Sequence, residues 1–298
     1  MPRRIRSTRL ALLSLLLLSG AGDAIAAGGA DYAAGIQKWR REFDADVRTG
    51  GWLALIGRFK LEEGASTLGS DPGCTMSLPV QAPKQLGTVT RHGQSFQFEP
   101  APGLRATIDG EVLSGLTELS AKGGAGRVRT GNFLFVVRAV GEDFYLLIQD
   151  SENPAIAKFK GTSWFPVDPG YRVRARFSAY AQPETVFNPL THVDSKELFT
   201  STGDVTFQLA GKAIRLKSFV DEGQLFVMFQ DRTNGRQTYG GGRFLYAPLP
   251  RNGSTVLDFN KAFNPYCSVN YYVMCPVPPP ENRIDAIVGA GEKFDSAD

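Results

Sequence analysis

Apolar positions recur at helical spacing in one segment of the chain. Between Asp31 and Val47, the residues Ile36, Trp39, Phe43 and Val47 fall three or four apart with charges between them. That spacing predicts an amphipathic helix packed across the rest of the molecule through one apolar stripe. Beyond it the period changes. Short runs at Trp52 to Phe59, Asn132 to Arg138, Phe144 to Gln149, Tyr171 to Tyr180, Val205 to Ala210, Leu225 to Gln230, Phe244 to Tyr246 and Val256 to Asn260 read as strands. Turn strings such as Gly141-Glu142-Asp143, Asp221-Glu222-Gly223 and Thr233-Asn234-Gly235 divide them. The expected fold is mainly β, an antiparallel barrel or sandwich with one N-terminal amphipathic helix.

The string AKGGAGRVRT at 121–130 interrupts the apolar pattern with glycine and charge. It is the expected boundary between an N-terminal helix plus small β module over 31–120 and a β domain over 128–298. Within the first part, KLEEGASTLGSDPGCTMSLP, followed by QFEP and ATIDGEVL, resembles the start of a forkhead-associated domain. The arginine that such a domain sets on phosphate would fall near Ser70, which carries no cation. The resemblance therefore implies a forkhead-associated-like β module without phosphate binding.

The first residues, MPRRIRSTRLALLSLLLLSGAGDAIA, place Arg3, Arg4, Arg6 and Arg9 before an apolar run from Leu10 to Leu18 and small residues Ala24 and Ala26. This is the three-part pattern of a secretory signal peptide over 1–26, so the product is expected in the periplasm or outside the cell. The run falls short of the roughly 20 apolar residues that span a bilayer, and no integral membrane segment is expected. Processing also changes the charge. Of 33 basic and 30 acidic side chains, 29 and 29 remain once the segment is removed. The mature chain is formally neutral, which argues against a nucleic-acid partner.

The C-terminal part is the most distinctive. FQDRTNGRQTYGGGRFLYAPLP and VLDFNKAFNPYCSVNYYVMCPVPPPENRIDAIVGAGEKF resemble the signature of a bacterial and archaeal family named only as domain of unknown function 1684. The resemblance extends through GWLALIGRFKLEEGASTLGSD and FKGTSWFPVDPGYRVRARF. It implies a shared fold and brings no activity.

Read physically, strand alternation over Val256 to Asn260 puts Leu257 and Phe259 on one face and Asp258 and Asn260 on the other. Asn264-Pro265-Tyr266 makes a turn, and the prolines up to Pro280 force an extended path into Glu281 and Asn282. Glycines 240 to 242 suit a tight bend, with Asp231 and Arg243 paired across it. Two readings stand. The polar residues form a ligand or acid/base site, with Asp231, Asp258, Glu281 and Glu292 as carboxylates and Tyr239, Arg243 or Lys293 as charge stabilisers beside Asn260, Asn264 and Asn282. Alternatively they clasp the end of a barrel by satisfying its backbone.

Only His92 and His192 are present, and neither lies in the tail. A zinc site would need about four N or S ligands, so no metal and no cofactor is expected. In an exported protein, Cys267 and Cys275 are reasonable disulfide partners, with a reactive thiol as the rival. Arg172, Arg174 and Arg176 share one face of a strand, opposite Tyr171, Val173, Ala175 and Phe177. Such a row receives an anion or forms a solvated face. The function expected from all this is non-catalytic binding, by that face or the barrel mouth, of a small anionic or carbohydrate ligand or an envelope polymer. The alternative is a hydrolase-like enzyme using the tail carboxylates.

Overall fold

A computed structural model describes residues 20–121 and 126–294, with side chains described from residue 29. The expected signal segment, 1–26, thus lies outside the residues whose side chains are described.

Helix α1 (Gly20–Thr49) contains the predicted amphipathic segment and starts earlier. Ile36 and Val47 are buried, and Trp39 and Phe43 join an aromatic cluster beneath the helix.

Among the described residues eleven strands follow: β1 (Leu55–Lys60), β2 (Gly64–Gly69), β3 (Met76–Ser77), β4 (Gly87–His92), β5 (Ser95–Pro100), β6 (Thr107–Ile108), β7 (Glu111–Val112), β8 (Thr117–Leu119), β9 (Val128–Thr130), β10 (Phe133–Val140) and β11 (Asp143–Asp150). They form two sheets, in the orders β1-β11-β10-β9-β6-β7 and β3-β2-β4-β5-β8. Leu68, Val89, Phe96, Phe98, Phe135 and Leu146 share the core of these strands. The boundary expected near 121–130 falls between β8 and β9. Strand β11 pairs along β1 from Leu55↔Gln149 to Lys60↔Tyr145, so residues 128–150 complete the N-terminal body. Ser70, where the forkhead-associated likeness wants a cation, donates its hydroxyl to the Ala82 carbonyl at 2.7 Å.

A short helix, α2 (Pro154–Lys158), leads to the second body: β12 (Arg172–Pro189), β13 (Lys196–Leu209), β14 (Lys212–Asp221), β15 (Gln224–Asp231), β16 (Arg243–Ala247), β17 (Ser254–Asp258) and β18 (Arg283–Ile284). The order β16-β15-β14-β13-β12-β17 is antiparallel throughout and curls into a half-barrel, with β18 parallel to β15. The inner face presents Val205, Phe207, Leu216, Val227 and Leu257, and the C-terminal segment fills it with Ile284, Val288 and Ala290. Among the described residues the tail thus packs inside the half-barrel, whose mouth is one of the expected ligand positions. On the opposite face of β14 to β16, Phe219, Phe226, Met228 and Phe244 pack with Trp39, Phe43 and Leu55. Burial on both faces explains the unbroken apolar run of β15.

Hairpin β12–β13 carries a bulge. Ala179 pairs with Gly203 and Glu184 with Ser201, so β12 holds three extra residues there. Gly203 accommodates the distortion, since a Cβ at this position would lie 2.4 Å from the Ser178 carbonyl oxygen. At the far end of the hairpin, the Ser195 hydroxyl donates to Asp143 at 2.6 Å and shares a 2.7 Å hydrogen bond with Tyr145, tying the two bodies together.

Candidate functional site

The expected pair across the glycine bend forms, and it is buried. Gly242 adopts φ +99°, and a Cβ there would lie 2.7 Å from the Phe229 carbonyl oxygen, so the bend requires glycine. Arg243 follows it with no exposed surface. Its Nη2 donates to Asp231 Oδ2 at 2.6 Å and to the Val288 carbonyl at 2.9 Å, and its Nη1 donates to the Ala290 carbonyl. Burial lowers the pKa of the guanidinium, opposed by the Asp231 charge. The Thr233 amide donates to Asp231 Oδ1 at 2.8 Å. This ion pair fastens the C-terminal segment inside the half-barrel.

Asn282 does the same from the other end of that segment. Its Oδ1 accepts from Lys217 N at 2.7 Å, and its Nδ2 donates to the carbonyls of Lys217 and Met228 at 2.8 and 2.7 Å. Asn264 donates Nδ2 to the Lys293 carbonyl at 3.0 Å and accepts from Tyr239 N at 3.3 Å. The Asn264 amide donates to Glu292 Oε2 at 2.7 Å. Glu292 is buried, which pushes its pKa up to about 8 against the pull of that amide. Lys293 lies with Nζ 5.8 Å from the Phe165 ring.

At the strand expected over Val256 to Asn260, β17 ends at Asp258, and Phe259–Lys261 forms a 3-10 turn. Leu257 and Phe259 face the core as predicted. Asn260, expected on the outward face, is instead fully buried, because the turn swings it inward. There it donates Nδ2 to the Asp168 carbonyl at 2.8 Å and to the Tyr32 hydroxyl at 3.0 Å. Tyr32 of α1 donates in turn to Asp258 Oδ1 at 2.8 Å. Asp258 and Asn260 thus dock the helix on the sheet.

Cys267 and Cys275 are free thiols in this structure, so the expected disulfide is not formed. They are nonetheless neighbours. The Cys267 amide donates to Cys275 Sγ at 3.3 Å, and Cys267 Sγ lies 3.9 Å from the Tyr239 hydroxyl. The Cys275 thiol, more than the Thr191 and Tyr239 hydroxyls, pulls the Cys267 thiol down to about 7. Hydrogen bonding to Cys267 and burial push Cys275 up. Among the described residues no cluster of metal-ligand type occurs.

The tail residues do not converge on one cavity. Asp231 and Arg243 sit in the core, Asn264, Glu292, Lys293 and Tyr239 lie together, Asp258 and Asn260 face α1, and Asn282 bridges β14 and β15. Glu281 is exposed and lies 3.5 Å from Lys217 Nζ. It lines an open polar cavity with Tyr180, Glu184, Asp204, Arg215 and Lys217.

The arginine face is split. Arg172 approaches Asp258 at 4.0 Å and stands 6.0 Å from the Tyr32 ring. Arg174 donates only to Ser254 Oγ at 3.3 Å. Arg176 has no partner among the described residues. The last two line an open groove with Thr206, Gln208, Asn252 and Ser254, and no carboxylate lines it.

A family model described as "Protein of unknown function (DUF1684)" matches residues 157–293, the half-barrel with its tail. The chain belongs to that family. The DUF1684 region begins within the last turn of α2 and contains every candidate site residue named above except those of the N-terminal body and α1. A solution NMR structure of an uncharacterized protein of Haloarcula marismortui is similar at 35% identity, covering 47% of this chain and 80% of that one, with a TM-score of 0.41. No curated protein matches. Within the DUF1684 region, sequence reasoning passed over Tyr180, Asp204, Arg215 and Lys217. Strand β14 carried a signal, since Ile214 and Leu216 alternate with Arg215 and Lys217, but its high charge concealed it.

Proposed function

We propose that the protein is exported and serves as a non-catalytic binding protein, receiving an anionic, carbohydrate-type ligand on the outer face of the half-barrel. One observation carries this reading: Arg174 and Arg176 share a groove with hydroxyl and amide side chains and with no acid to neutralise them. A guanidinium offers a planar fork of donors matched to carboxylate geometry. Neutral hydroxyls and amides beside it suit the remaining groups of a sugar. Net charge on the mature chain is balanced, so the attraction is local to this face. The hydrolase-like alternative draws less support, because Asp231, Asp258, Glu281 and Glu292 engage four different sets of partners.

The test is an NMR titration of the mature protein with methyl glucuronide and its neutral counterpart, methyl glucoside. The acid should shift the Arg174 and Arg176 side-chain Nε–H resonances and the glucoside should not. Absence of any shift with the acid would exclude the reading. Export is tested by expressing the full chain and sequencing the N-terminus of the product, where retention of 1–26 would overturn it.

A further inference from the structure

We infer that the ligand is an acidic glycan lying across the strands, with successive acidic groups taken by Arg176 and Arg215. This rests on the proposed binding face and extends it to residues the sequence did not single out. The strand registers place Arg176 opposite Ser254 on one side and Thr206 on the other, and Thr206 opposite Arg215. Ser254, Arg176, Thr206 and Arg215 therefore form one cross-strand row on the outer face. Neighbouring strands lie about 4.8 Å apart, so the two arginines stand roughly 10 Å apart along the row. Thr206 between them is neutral. Charge at every second strand with hydroxyls between matches a polymer bearing one acidic group per few sugar hydroxyls. A polyphosphate, charged at each step, would call for cations at each step.

Arg215 is held ready for this role. Its Nε donates to Asp204 Oδ2 at 2.7 Å and its Nη2 makes a second contact with the same oxygen, while Nη1 has no partner among the described residues. Asp204 is itself buried and receives the Tyr180 hydroxyl, so the guanidinium is anchored at one edge while its side chain remains 72% exposed. The three-residue bulge of β12 brings Tyr180 to that position, in keeping with the use of bulges to re-aim side chains beside sites. Lys217, between Glu184 at 2.8 Å and Glu281 at 3.5 Å, closes this end of the track.

The experiment is calorimetry on the mature protein with galacturonate as monomer, dimer and tetramer, with a neutral cello-oligosaccharide and with short-chain polyphosphate. Affinity should rise about tenfold or more from monomer to tetramer, as linked contacts become intramolecular. Arg215→Ala should remove most of the gain from monomer to tetramer, and Arg215→Lys should recover part of it. Arg176→Ala should weaken both. Equal affinity for monomer and tetramer would overturn the cross-strand track while leaving the proposed function standing. No binding of any uronate would remove both. Tighter binding of polyphosphate than of the uronate tetramer would overturn the glycan assignment. Melting temperatures of the variants, expected within a degree or two of wild type for exposed substitutions, separate lost binding from lost fold.

Discussion

The guanidinium of Arg243 and the carboxylate of Asp231 meet at 2.6 Å with neither side chain exposed to solvent. Each would be expensive to bury alone, and removing one partner from such a pair typically costs about 3 to 5 kcal/mol because the other charge is stranded. Arg243→Met should therefore lower stability by about that amount in urea denaturation. The double variant Asp231→Asn, Arg243→Met should recover part of the loss. A double variant no more stable than the single would show that the carbonyls of Val288 and Ala290, not the charge pair, dominate the fastening.

Asn282 links three backbone groups on two strands with one side chain. Truncation leaves the Lys217 amide and two carbonyls without partners in a buried setting. At about 1 to 3 kcal/mol for each stranded group, Asn282→Ala should destabilise by about 3 kcal/mol or more. It should also speed amide hydrogen exchange at Lys217 before the rest of β14. An Asn282→Ala loss below about 1 kcal/mol would mean that water replaces the side chain, and that the tail is held from the Arg243 end alone.

The elements with a clear period are legible in the sequence. Ile36, Trp39, Phe43 and Val47 identify α1, and the eight predicted strand runs all correspond to observed strands. The Asp231 to Arg243 pair was legible because the glycines between them demand a bend. The glycine-rich string at 121–130 does not distinguish a connection between two sheets from one between two domains. What failed did so for physical reasons. Asn260 defeated the alternation rule because β17 stops one residue before Phe259 and a 3-10 turn redirects the chain. Whether polar tail residues converge or disperse depends on contacts far apart in sequence, such as Tyr32 with Asp258, and no local pattern encodes these.

Glu292 gives the fold a pH dependence with a defined sign. Burial raises its pKa from 4.5 to about 8, so the folded state holds a proton that the unfolded chain releases at lower pH. The contribution is fully favourable below about pH 4.5 and is lost as pH rises to about 8. Glu292→Gln, which cannot ionise, should gain on wild type across that window. Denaturant melts of both proteins at about pH 4 and about pH 8.5 check this. A stability difference that does not change between the two would place the folded carboxyl at its ordinary value.

The three cysteines should separate by accessibility. Cys74 is partly exposed, whereas Cys267 and Cys275 are buried beside the aromatic cluster beneath α1. In the native protein, iodoacetamide should label Cys74 first and the tail pair only through opening of the 266–276 segment. All three thiols should react in denaturant if the tail pair is free, as in the structure. Because Cys267 is pulled down to about 7 chiefly by the Cys275 thiol, Cys275→Ala should slow the Cys267 reaction near neutral pH by raising its pKa, even where opening is unchanged. A faster reaction in that variant would show that Cys275 shields Cys267 rather than activating it. Recovery of only one reactive thiol from denatured, unreduced protein would show that the tail pair had oxidised.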